Sequence, residues 1–243
     1  MKDIEKLLKR VEKPARYTGG EVNSVIKNPA EADVRFAFAF PDTYEIGMSY
    51  MGLQILYNIL NMQDYVYCER VFAPAMDMEK LMREENVPLF SIETKTPIKE
   101  FDILGFTLQY EMSYTNILNM LNLAGIPMMS ADRDDSYPLL VAGGPCAFNP
   151  EPLADFFDLF LIGDGEEVLP AITDLYRKCD SKKELLKKAC QMTGVYVPSF
   201  YDVKYNEDGT VAAYIKKYEN APEKGMQILP GRNDIQTCTG KKA

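Results

Sequence analysis

Histidine is absent from the 243 residues of this chain. That removes imidazole acid–base chemistry, Ser-His and Cys-His nucleophilic catalysis and histidine metal ligation from the functions open to it. The five cysteines, Cys68, Cys146, Cys179, Cys190 and Cys238, are scattered and form no Cys-x-x-Cys pair. Nothing in that pattern looks like a zinc or iron–sulfur site, and scattered free thiols of this kind fit a reducing, cytoplasmic setting. Neither a Gly-x-Gly-x-x-Gly fingerprint nor a Walker phosphate loop occurs, which disfavours a free-standing nucleotide-binding enzyme. No apolar run is as long as a membrane span, and the opening Met-Lys-Asp-Ile-Glu-Lys carries no signal-peptide core. Basic stripes are missing too, and the net charge of −9 disfavours nucleic acid as a partner.

What is present is a chain with 47% hydrophobic residues, enough for a substantial core. Two short apolar runs, Leu139–Ala142 and Leu159–Ile162, each end in glycine: Gly143 and Gly144 after the first, Gly163 and Gly165 after the second. Runs of this length suit strands buried on both faces of a parallel sheet. Glycine at a strand's carboxyl end lets the backbone turn sharply or approach a ligand, and open α/β sheets bind ligands at that edge.

Strand and helix alternate through the middle of the chain. Strands are predicted at Val34–Phe40, where Phe36, Phe38 and Phe40 alternate with smaller residues, and at Tyr65–Cys68, Leu89–Ile92 and Ile103–Leu108. Helical spacing predicts helices near 51–61, 78–82, 114–124, 168–175 and 185–189, with a loop over 42–49. Such alternation predicts a doubly wound, Rossmann-like α/β fold with a parallel sheet, because parallel strands need crossovers. Residues 1–33 read as an N-terminal helix and linker arm, 34–194 as the Rossmann-like domain and 195–224 as a β-hairpin around Asn206–Gly209. Residues 225–243 read as a polar, loosely ordered tail.

Three loops at the predicted carboxyl edge carry candidate binding groups. After the first strand come Asp42, Tyr44, Glu45 and Gly47, which either form a turn and pack on the rim or line a pocket. Thr107, Gln109 and Tyr110 follow the strand at 103–108. Gly143, Gly144 and Pro145 permit close backbone approach, whereas Gly163, Gly165 and Glu166 begin a helix whose dipole favours carboxylates. That acidic helix start argues against phosphate, and leaves helix stabilisation and ligand contact both open.

Taken together, Pro41-Asp-Thr-Tyr-Glu-Ile-Gly-Met-Ser, Gly52-Leu-Gln-Ile-Leu-Tyr, Phe106-Thr-Leu-Gln-Tyr-Glu, Ala142-Gly-Gly-Pro-Cys-Ala-Phe-Asn-Pro-Glu-Pro and Ile162-Gly-Asp-Gly-Glu-Glu resemble the amino-terminal part of cobalamin-binding-domain radical S-adenosylmethionine proteins. The likeness extends over about residues 10–220. It implies a cobalamin-type domain preceding a radical-generating barrel, in which a Cys-x-x-x-Cys-x-x-Cys motif holds a 4Fe-4S cluster that binds S-adenosylmethionine. This chain has no such motif, so the resemblance implies a domain truncated before the barrel, or one served by a barrel in cis or in trans, and by itself inactive. Many cobalamin domains carry Asp-x-His-x-x-Gly, with the histidine on cobalt. Here Asp42-Thr-Tyr44-Glu-Ile-Gly47 has that spacing with tyrosine in the histidine place, and a neutral phenol is a poor cobalt ligand. Two expectations follow from the resemblance: an accessory domain that positions a corrinoid or substrate, with cobalamin bound without a histidine lower ligand, or a non-catalytic docking domain that binds no cofactor.

Overall fold

The computed structural model describes residues 2–223, leaving the predicted tail at 225–243 outside the described residues. Its centre is a six-stranded sheet made of β1 (Val34–Phe40), β2 (Val66–Phe72), β3 (Ile103–Thr107), β4 (Leu139–Gly143), β5 (Leu159–Leu161) and β6 (Val195–Tyr196). The spatial order is β2-β1-β3-β4-β5-β6; the first five strands are parallel and β6 runs antiparallel at the edge. This is a doubly wound α/β sheet with the strand order 2-1-3-4-5 of the flavodoxin-like class.

Both faces of the sheet are covered. The face bearing Phe36, Phe38, Val141 and Leu161 packs against α3 (Met51–Asn61), α6 (Gly165–Tyr176) and α7 (Lys182–Ala189). On the other face, Ala37, Leu104 and Leu140 meet α1 (Lys2–Leu8), α4 (Met76–Glu85) and α5 (Tyr114–Ala124). Strand alternation sends the β1 phenylalanines to one layer and its alanines to the other. Each buried phenylalanine contributes roughly 1.5–3 kcal/mol. At the end of α5, Gly125 takes φ +65°, the left-handed cap that lets the chain turn into the next loop. A two-stranded hairpin, β7 (Tyr201–Tyr205) and β8 (Val211–Lys216), follows the sheet.

The structure alters four expectations. The loop predicted at 42–49 contains a short helix, α2 (Tyr44–Ser49). Residues 89–92 form no strand; Phe90 makes a single antiparallel bridge to Pro97, and the Ile92 N–H donates to the Arg70 carbonyl at the sheet edge. The segment 195–224, read as a β-hairpin, divides at its start, because Pro198–Phe200 is a 3-10 turn and β6 joins the main sheet before it. Finally, β2 runs to Phe72 rather than stopping at Cys68, with Glu69 and Arg70 buried inside it.

Those two charges are tolerated because the chain supplies partners for both. Glu69 accepts from Arg35 Nη2 at 2.7 Å, Ser91 Oγ at 2.7 Å and Thr94 Oγ1 at 2.6 Å. Arg70, 1% exposed, donates to Glu93 Oε1 and to Glu21 Oε2, each at 2.7 Å. Glu21 lies on the N-terminal arm, so the buried arginine straps that arm across the sheet edge. Lys27 tightens the strap by donating to the carbonyls of Asn61, Gln63 and Val66, at 2.7, 2.8 and 2.7 Å, and so closes the open end of α3.

Replacing Arg70 by methionine leaves Glu93 buried without its counter-charge, and should lower the unfolding free energy by about 3–5 kcal/mol in urea denaturation. Glu21 adds a pH signature. Burial alone would raise its pKa, but hydrogen bonds from Ser24 and Tyr44, its own backbone and the Arg70 charge bring it down to about 2. Its contribution to stability is therefore complete above its ordinary value of 4.5 and is lost as pH falls from there towards about 2. Glu21→Gln should flatten the stability profile in that window, as measured by unfolding at stepped pH.

Candidate functional site

The order 2-1-3 means that the connection leaving β1 turns towards β2, whereas that leaving β3 turns away towards β4. No crossover then covers the carboxyl ends between them, and a crevice is left there. A cavity of about 670 Å³ opens at this point, within the range of small-molecule sites. Its floor is the sheet: Phe36 and Phe38 from β1, Gly105 from β3, Val141 from β4 and Leu161 from β5. Gly52, Ile55 and Leu56 of α3 form one wall, with Gly165, Glu166 and Leu169 of α6 opposite. Gly165 brings the two walls together, since a Cβ there would stand 3.2 Å from the Leu56 methyls.

Seven of the thirteen residues singled out in the sequence line this cavity: Thr107, Gly143, Gly144, Pro145, Gly163, Gly165 and Glu166. Gln109 and Tyr110 sit beside it. The Gln109 amide donates to the buried Thr107 hydroxyl, and Tyr110 OH donates to Asp42 Oδ2 at 3.3 Å, joining two separate loops along one rim. Asp42, Tyr44, Glu45 and Gly47 do not line the cavity. Asp42 caps its own turn by accepting from the Thr43 N–H at 2.7 Å. Tyr44 turns towards the N-terminal arm, donates to Glu21 at 2.7 Å and packs edge-on against Phe72. Burial and then the Glu21 carboxylate push its phenol up to about 12, so it stays protonated. Glu45 faces Arg16 at 2.8 Å, and Gly47 is pressed against the Phe72 ring. Tyr44 and Glu45 fell outside because α2 turns them onto the N-terminal arm, where Glu21 and Arg16 receive them; Gly47 packs on Phe72, and Asp42 is held at the rim by its own turn and by Tyr110.

Sequence reasoning missed the aromatic floor, Tyr50, and the α3 wall. One signal was present. Gly105 interrupts a strand, and a Cβ there would lie 2.5 Å from the Phe36 ring, so glycine is what allows that ring to lie flat on the sheet. Leu56 of α3 is only half-buried because it faces the cavity. Asp158 is structural: it accepts from the Leu140 N–H at 2.7 Å and from Arg133 at 3.2 Å, fixing the start of β4.

Chemically, the site is apolar and aromatic below and acidic at the mouth, where Asp164 and Glu166 are exposed. No lysine or arginine is among the lining residues, and among the described residues no cluster of histidine, cysteine or carboxylate suited to a metal occurs. Phe148, which lines the cavity, is 60% exposed, and Met51 and Met112, on the neighbouring connections that leave β1 and β3, are 72% and 84% exposed. Among the described residues, no helix is long and apolar enough to cross a membrane.

The family described as radical SAM proteins, N-terminal, matches this chain over residues 52–198, from the start of the α3 wall to just beyond β6. Over 131 residues, 54% of the chain, it is 28% identical to an uncharacterized protein of Methanocaldococcus jannaschii. That stretch is 24% of the relative, so the chain spans about a quarter of that protein's length. No solved structure matches.

The glycines divide into two kinds. Gly144 has φ +103°, and a Cβ there would approach the Leu108 carbonyl at 2.9 Å, so the fold itself demands glycine. Gly143 has no such φ, and a Cβ would meet Leu161 at ordinary distances of 3.6 and 3.7 Å while entering the cavity. Thermal unfolding should separate them: Gly144→Ala should cost roughly 1–3 kcal/mol, whereas Gly143→Ala should be neutral or slightly stabilising, by up to about 1 kcal/mol.

Proposed function

The chain belongs to the family of radical SAM proteins, N-terminal, and on that premise we propose that it is the accessory domain that holds a corrinoid at the carboxyl edge of its sheet. The observation carrying this reading is Gly143: the protein has room for a side chain there, and the cavity is what a side chain would fill. In this reading Gly143 and Gly144 admit the corrinoid's nucleotide tail between α3 and α6, while Thr107, Gln109, Tyr110 and Asp42 border the ring. The donor set also fits a particular mode. With no histidine in the chain and Tyr44 hydrogen-bonded to Glu21, this chain would offer a bound corrinoid no imidazole. When bound, the corrinoid supplies a cobalt centre suited to methyl transfer or rearrangement. This chain's residues shape the slot, keep water from its apolar floor and fix the cofactor's orientation.

The rim of Met51, Met112 and Phe148 favours a second reading, a docking domain that binds no cofactor. In that reading a radical SAM barrel, in cis or in trans, would cover the rim; the corrinoid reading allows the same contact.

Titration of the purified protein with hydroxocobalamin, followed by its visible spectrum and by co-elution, separates the two. Binding is expected, with Gly143→Val weakening it at least about tenfold while the protein stays folded. Reduced to the cobalt(II) form, the complex should give an electron paramagnetic resonance spectrum without nitrogen superhyperfine splitting. No binding at high micromolar cofactor would overturn the corrinoid reading and leave the docking domain.

A further inference from the structure

We infer that the outer face of α3 pairs with the same face of a second copy of this chain in a twofold dimer, whether or not the cavity holds a corrinoid. Two seams run along α3. Leu53, Tyr57 and Leu60 point into the sheet and are buried. Met51, Ile55, Asn58 and Met62 follow one another at intervals of four, three and four residues, which sets them in one narrow stripe on the opposite side. All four are exposed, and Ile55 and Met62 are 43% and 78% exposed. Alternating steps of four and three are the spacing with which one helix seats against another. The N-terminal arm lies beside the same helix, where the Val25 N–H donates to the Tyr57 hydroxyl at 2.7 Å, and that segment exposes Val22 and Ile26.

Charge selects the occupant. In a chain that is 26% charged, residues 46–63 include no charged side chain. Helix α5 is uncharged as well, but its Asn119 and Asn122 receive Arg83 of α4. Two copies of a chain with net charge −9 repel over most of their surfaces, so their contact has to fall where neither carries charge. A partner recognised by opposite charge would find nothing on α3 to pair with. Asn58 suits a symmetric contact. Its amide donates to the Gln54 carbonyl of its own helix at 2.9 Å, and its oxygen and second N–H remain to answer the same amide of the copy. The stripe also extends beyond the reach of anything seated on the cavity. Because α3 connects the parallel strands β1 and β2, it runs back from the carboxyl edge. Met51 therefore stands beside the mouth and Met62 about 16 Å further along the helix.

Sedimentation velocity on the full chain from about 1 to about 100 μM should show a species of twice the 27.6 kDa chain mass. Asn58→Glu and Asn58→Lys should each raise the dissociation constant at least about tenfold by facing like charges across the axis. An equal mixture of the two variants should restore the dimer, which a folding defect would not allow. Met62→Glu should weaken the dimer too, whereas Met112→Glu, on the connection leaving β3, should leave it intact. A monomer at every concentration overturns the inference. So does a dimer that both Asn58 variants leave unchanged, or a mixture of them that stays monomeric.

Discussion

Parallel neighbouring strands cannot be joined by a tight turn, and that constraint underlies the rest of this molecule. Each of the first four strands must return across a face of the sheet before the next can begin. The connection from β1 leaves towards one edge and that from β3 towards the other. Between their carboxyl ends nothing crosses, and α3 and α6 can only flank the gap. The cavity is a consequence of strand order before it is a consequence of any side chain. The side chains then decide its character: phenylalanines, leucines and valine below, carboxylates at the lip, and glycine wherever a side chain would have filled the slot.

A second constraint acts at the β2 edge. An exposed parallel edge strand would leave backbone groups unpaired and open to association. Here the edge is closed by the loop at 91–97 and by the N-terminal arm, and the closure is ionic. Arg70 with Glu93 and Glu21, and Glu69 with Arg35, Ser91 and Thr94, bury charge at a desolvation cost that only near-complete pairing can offset. The arm reaches the site indirectly: Glu21 holds Tyr44 and Arg16 holds Glu45, so α2 is fixed just before the chain enters the α3 wall. Strap and cavity are thus adjoining parts of one structure, although the residues that join them are more than twenty positions apart.

Local pattern made most of the fold legible. The alternation in Val34–Phe40, the apolar runs ending in Gly143 and Gly163, and the helical spacing at 51–61 and 114–124 all correspond to elements with nearly the expected bounds. The segments that misled are those where local and tertiary preferences conflict. Glu69 and Arg70 look like a strand's end because charged residues seldom enter a covered sheet, yet their partners lie on three other segments. Leu89–Ile92 looks like a strand by composition, yet it caps an edge and keeps a single bridge.

For the site, the amino-acid order by itself determined the glycine-bounded strand ends, the missing imidazole and the acidic helix start. These are properties of residue type, fixed before folding. Only the tertiary structure decided which of these groups share a space. Tyr44 follows β1 at the carboxyl edge, yet a short helix and a glutamate from the arm turn it away from the cavity. Phe36, Phe38 and Gly105 attracted no functional reading, yet they form the floor. The reason is geometric: a side chain's direction at a strand end follows from the pairing register and from the helix that comes next, and both depend on contacts with segments distant in sequence.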